Sequence, residues 1–407
     1  MAGSTIDHLV SVTVFLGAIL LFIGLFNQTI QTAILYQQHR HLATRCSDLL
    51  DNLLLNPGYP IDWGKRNNIP ASFGLQDPEF TQYRLSPFSL MRLNSSTGTP
   101  VYYPKTGLYY SNITVGFGKF MLVPFTEMIN YSMAVRLLGL NTTYGFQLTV
   151  APIITVSVSE TQSNPLKLTV DVKGAGFPLS NANVSYCFID VKASGGGPYP
   201  AYTTSYGTAF TNDQGSAVLD FPAIDGLQES YVLIVYAHLS GLVGVGYHEH
   251  VTYSANYVIP FISDFEKREV IIAHSYDVHG GASPAEISYN ATFVLLTEDF
   301  TLREMPMENS TGKVGKINYG EGKPYYKITI PTYNPGILVI TYRKSAQETG
   351  VVLMPWGISS MAFSLIFGGD PSGKEWVATD ARQVVVNGIA YQAKLALWSL
   401  KGYPVTG

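Results

Sequence analysis

The sequence predicts a mainly β protein with one long N-terminal α-helix, in which tandem β-sandwich modules ride on a membrane-spanning helix. Three observations predict this class. From His8 to His39 the chain holds no Asp, Glu, Lys or Arg. From Arg84 onward, short apolar runs alternate with turn residues, and no 3.6-residue period of helical length recurs until the final segment. Charged residues make up only 13% of the 407, against roughly 25% in an average soluble domain.

The helix comes first. Leu9–Phe26 is broken only by Ser, Thr and Gly, and with the stretch to Tyr36 it exceeds the ~20 apolar residues that cross a bilayer core. The pattern continues beyond it: Leu42, Cys46, Leu49, Leu50, Leu53 and Leu54 recur at spacings of three and four. A helix from Thr5 to Leu55 would be a rod roughly 75 Å long, far more than a membrane requires. Asn56-Pro57-Gly58 stops it, because proline removes a helix donor and glycine supplies a positive φ. Pro60 keeps the exit extended, and Trp63 offers a large ring to seat the chain. Residues 1–56 therefore form the helix, and a stiff elbow follows.

This arrangement resembles the archaeal type IV pilin-like and pseudopilin proteins. It is carried by the apolar N-terminal helix and by Pro57-Gly58-Tyr59-Pro60-Ile61-Asp62-Trp63, which matches a PG-x-P-x-x-W elbow. The resemblance covers about residues 1–64. It implies that Asp7 helps neutralise a neighbour's N-terminus during assembly, with processing after Ala2 and Gly3 as the first mature residue. It also implies helix packing through Gly17 and Gly24, giving a homo-oligomer or filament. The residues alone equally allow a single-pass surface anchor that never polymerises.

The side of the membrane is decided by Asn-x-Ser/Thr sequons. Eight occur, where about three would arise by chance. Asn27 lies in the apolar span and is incidental. Asn94, Asn112, Asn130, Asn141, Asn183, Asn290 and Asn309 mark an exported head carrying N-linked glycans. They outrank Arg40 and Arg45, which follow the span and taken alone would place the head in the cytoplasm. The expected location is the cell membrane with the bulk extracellular, or an extracellular filament.

The head divides into three stretches. Residues 57–150 hold the elbow and a first β-rich region. Residues 151–255 carry "GFPLSNANV" and "TNDQGSA", which resemble the immunoglobulin-like modules of bacterial and archaeal surface proteins. That resemblance implies a sandwich, with a crossover beginning at Gly176-Phe177-Pro178 and Asn212–Gly215 turning a hairpin. Residues 256–407, opening on a connector at Asn256–Ile262, complete a C-terminal β-rich domain that ends in an apolar segment readable as strand or short helix.

Chemistry is sparse. Gly368–Glu375 ("GGDPSGKE") departs from a P-loop because Glu375 stands where a hydroxyl must ligate magnesium, so it reads as a turn. His248 and His250 would share one strand face, and a hairpin would bring His238 near, making the three a weak candidate for a metal. No metal or other cofactor is expected. No nucleophile elbow or H-E-x-x-H pattern appears, so the reading is not an enzyme. Cys46 and Cys187 are either one bridge or, the favoured reading, two buried thiols. A net charge of −4 and no basic cluster longer than Lys65-Arg66 argue against nucleic acid. The function expected is assembly and surface adhesion.

Overall fold

In the computed structural model the described residues are 2–400, without 81, 94–98, 115–119, 141–142, 193–196, 253–256, 280–284, 298, 319–323, 346–347, 358–363 and 387. Helix α1 runs unbroken over Ala2–Leu55, a rod about 80 Å long at 1.5 Å per residue. Every residue from Ile6 to Tyr36 is exposed. Further on, Leu42, Cys46, Leu49, Leu50, Leu53 and Leu54 are buried. They form one stripe, as their spacing dictates, and it lies on the strands Ala378–Val386 and Ile389–Ser399.

Those strands belong to a four-stranded antiparallel sheet in the order Leu365–Gly368, Tyr144–Pro152, Ile389–Ser399, Ala378–Val386. The final apolar segment is thus a hairpin rather than a helix. Tyr144–Pro152 pairs with residues more than two hundred positions away, so the stretches 57–150 and 256–407 share one sheet. A second, six-stranded sheet mixes them again: Val101–Tyr103, Leu108–Thr114, Phe120–Pro124, Val258–Asp264, Glu269–His274 and Tyr325–Thr329. The connector expected at Asn256–Ile262 is, from Val258, an internal strand of that sheet. Its apolar residues Val258, Ile259, Phe261 and Ile262 bury on both faces, which the turn-like Pro260 conceals in the sequence.

Between these lies the module over Ile154–His250, two four-stranded sheets face to face. One holds Ser216–Phe221, Leu166–Gly174 and Ile154–Ser163, with Phe177–Pro178 at its margin. The other runs Leu242–His250, Ser230–Leu239, Asn183–Lys192, Ala201–Phe210. Leu168, Val170, Val184, Phe188, Leu219, Leu233 and Val235 fill the space between them. Asn212 accepts backbone hydrogen bonds from Gln214 (2.9 Å) and Ser216 (3.0 Å), and Gly215 takes φ 73°. This turn does not close a hairpin: it carries the chain from one sheet to the other.

Strand Ser230–Leu239 is buried on both faces. Tyr231, Leu233 and Val235 point into the sandwich, while Val232, Ile234 and Tyr236 join the main core. There they meet a five-stranded sheet of residues 287–356. The β modules are therefore stacked layers with a shared core.

Candidate functional site: a free apolar helix on a locked elbow

The exposed half of α1 is apolar on all sides, with Leu20, Leu21, Phe22 and Ile23 each more than half exposed. Three of its threonine hydroxyls bond back to the helix: Thr13 donates to Leu9 O (2.8 Å), Thr29 to Leu25 O (2.8 Å) and Thr32 to Gln28 O (2.9 Å). These bonds spare the three threonine donors when the helix lies in an apolar surrounding. Asp7 is exposed near its start. Gly17 and Gly24, seven residues apart on one side, have open space where a Cβ would stand.

The elbow is rigid for reasons that reach well beyond its prolines. Leu53 O and Asn56 O, carbonyls that the ended helix leaves open, accept the backbone N–H groups of Leu75 (2.8 Å) and Gln76 (3.1 Å). Asn56 Oδ1 accepts from Gly58 N (2.8 Å), and Gly58 has φ 82°. Trp63 is fully buried, and its Nε1 donates to Pro57 O (2.9 Å) and Gly74 O (3.1 Å). At Gly74 any Cβ would lie 2.0 Å from Asn56 O, so only glycine permits this approach.

Arg92 holds the elbow from below. It is 1% exposed, and its guanidinium donates to Trp63 O (2.6 Å), Arg66 O (2.9 Å), Asn68 O (3.0 Å) and Glu127 O (2.7 Å). Burial pushes its pKa down from the usual arginine value, opposed by Glu127. A second clamp fastens α1 itself: Arg382 reaches Asp51 Oδ1 (3.0 Å), Asp51 Oδ2 (3.2 Å) and Ser47 Oγ (3.0 Å). The hydrogen bonds that Arg382 donates to Asp51 and Asp380 raise its pKa above the usual arginine value. Neither arginine stands out in the sequence pattern; the lone cation within "FSLMRL" is the one sign that Arg92 has a partner inside.

Both cysteines are buried free thiols. Burial pushes Cys46 up to about 11 and Cys187 up to about 12. Cys46 donates weakly to Leu395 O (3.5 Å) at the seam between helix and sheet.

The three histidines do not converge. His248 and His250 share a face of strand Leu242–His250, but His238 pairs with Val243 at the other end of the hairpin and stacks on Phe300 (4.0 Å). His250 Nδ1 lies 3.5 Å from Glu160, which also accepts from Tyr231 (2.6 Å). Burial lowers the pKa of His248. It would raise that of Glu160, but hydrogen bonds from Ser163 and Tyr231 outweigh it. Among the described residues no three His, Cys, Asp or Glu side chains gather as a metal site. The segment Gly368–Glu375 is a turn, with Asp370 capping Ser372 and Gly373 at φ 73°.

The sequons fall into different environments. Asn309 is exposed in a single 3-10 turn, and Asn130 is exposed as the cap of helix Tyr131–Leu137, accepting from Met133 N (2.9 Å). Asn112 and Asn183 sit half-buried in strands. Asn290 lies inside the five-stranded sheet, and its amide donates to Pro200 O (3.1 Å), a bond that a glycan would break. Asn94 and Asn141 lie outside the described residues.

No family model matches the chain, and no curated protein matches it either. Among solved structures it is similar to red sea bream transglutaminase at 7% identity, covering 60% of this chain and 40% of that one, with a TM-score of 0.17. It is also similar to the 47-kilodalton lipoprotein of Treponema pallidum (8%, 64% and 58%, TM-score 0.16). The third is a Salmonella alpha-2-macroglobulin (10%, 68% and 19%, TM-score 0.17). The chain spans less than two thirds of each of these structures, and scores this low carry no functional argument.

Proposed function

We propose that the chain is a surface protein of the archaeal type IV pilin-like kind. Its apolar half-helix embeds in a membrane or filament core, and its β layers face outward for adhesion. One observation carries the reading: a single helix is bare and apolar over Ile6–Tyr36, yet is built into the head's core over Leu42–Leu54. A cleavable targeting segment has no need of such a junction. The locked elbow makes helix and head one stiff lever, which suits a filament subunit. In that role Asp7 would neutralise a neighbour's N-terminus, and Gly17 and Gly24 would admit a neighbouring helix. The exposed sequons Asn130 and Asn309 would carry glycans.

A second reading, a lone single-pass anchor, is favoured by apolar exposure all round the helix rather than along one stripe. The test is to isolate the native protein, sequence its mature N-terminus and sediment it after shear. A chain starting at Gly3 in pelletable filaments supports the pilin reading. An unprocessed chain in the detergent-soluble membrane fraction supports the lone anchor and removes the role given to Asp7.

A further inference from the structure

The loop 369–377 leaves Gly369, against Trp398 and Gln147, and reaches α1 at Trp376. It enters strand Ala378–Val386, whose start meets Cys46: the Cys46 thiol lies 3.6 Å from Ala378 O. One step further toward the N-terminus, Trp376 packs on His39 with ring centroids 3.7 Å apart. The chain has four tryptophans. Trp63, Trp356 and Trp398 are 0%, 5% and 2% exposed, whereas Trp376 is 45% exposed. Leu400, at the same end of the neighbouring strand, is 51% exposed.

The length of the helix sets the level of this loop. Between Asp7 and Arg40 lie thirty-two residues without Asp, Glu, Lys or Arg, about 50 Å from one charge to the other. A bilayer with its headgroups is about 40–45 Å thick, of which the hydrocarbon takes about 30 Å. The uncharged surface therefore matches the whole bilayer, headgroup layers included, and His39 falls at the outer edge of one layer. Trp376 stands beside it.

We infer that Trp376 and its loop form a second contact with the membrane, seated in the phospholipid headgroup layer next to α1. The contact continues the bare surface of the helix, and indole is the side chain that interfacial layers favour. The charges of the loop, Asp370, Lys374 and Glu375, and Arg40 next to His39 in the helix cancel in sum. The seat is therefore aromatic, and salt or anionic lipid changes it little. It would fix the tilt of the head above the bilayer. The inference rests on α1 being a membrane helix.

The experiment uses the full chain reconstituted into phosphatidylcholine vesicles, with and without lipid bearing a nitroxide on the choline headgroup. Flotation reports insertion of α1, which contains no tryptophan. Tryptophan emission reports the loop, and the Trp376→Phe variant isolates its component. The expected result is flotation of both proteins, with headgroup-nitroxide quenching of the wild type that the variant loses. Flotation with equal quenching in both proteins overturns the contact and leaves the anchor standing. Failure to float overturns both.

Discussion

The two halves of α1 are one uninterrupted helix with opposite fates. Over Ile6–Tyr36 no side chain is covered by the rest of the protein. Over Leu42–Leu54 a stripe of six is sealed against a sheet, and the residues between them are exposed or, at Ser47 and Asp51, half-buried. The difference lies in the distribution of apolar residues. The first half is apolar all round, which no one-sided partner can satisfy. The second is apolar on one side and charged on the other, which is what a sheet can cover. Continuity between them ties the head to the exposed half, because neither can rotate alone.

The comparison breaks most visibly at Leu50. Leu50→Ala should lower the stability of the head by about 2–5 kcal/mol in denaturant unfolding of the detergent-solubilised chain, since it empties a fully buried site. Leu20→Ala, 69% exposed, should change the same measurement by less than about 0.5 kcal/mol. Equal effects would mean that α1 is not docked as described.

Arg92→Met should come next, at about 2–3 kcal/mol, because it leaves buried carbonyls at the elbow without a charged donor. The elbow should then loosen more than the sandwich does. Hydrogen exchange at Leu75 and Gln76, whose N–H groups close the helix end, checks this directly.

Cys46 probes the seam by pH. Folding raises its pKa from 9.0 to about 11, so the folded state holds its proton more tightly than the unfolded state. Stability from this group is complete below pH 9 and is lost as pH rises toward 11, on the order of 2 kcal/mol. Cys46→Ala should flatten that part of the curve, and maleimide at pH 8 should label the native thiol only after unfolding. The smallest effect belongs to Arg382 and Asp51, which are partly exposed. A double-mutant cycle should give a coupling of about 0.5–1 kcal/mol that shrinks with salt; a coupling near zero would leave the docking to the apolar stripe alone.

Legibility in the sequence follows the same division. The helix, its length, its change from all-round to one-sided apolarity, and its stop at Asn56-Pro57-Gly58 are local patterns and were readable as such. So was the β-sandwich character of the stretch expected at 151–255, where Ile154–Ser163 with Leu166–Gly174 and Ser230–Leu239 with Leu242–His250 are pairs of strands adjacent in the chain. The turn at Gly368–Glu375 was readable from what it lacks. By contrast, the pairing of Tyr144–Pro152 with Ile389–Ser399 joins segments with no shared motif. Val258–Asp264 became an internal strand against the signal of Pro260. His238 and His248 lie on one hairpin, yet its register keeps them apart.

By itself the sequence determined the long helix, its apolar first half, the break that ends it and the β character of everything after. Each of these follows from residue spacing and backbone preference within a few turns or strands. Tertiary structure alone decided that the last strands close the sheet beneath the helix and that Arg92 gathers four carbonyls under the elbow. It alone set Gly74 against Asn56 O and Trp376 beside His39. Those outcomes depend on which distant surfaces fit once water is excluded, and one-dimensional spacing carries no record of that.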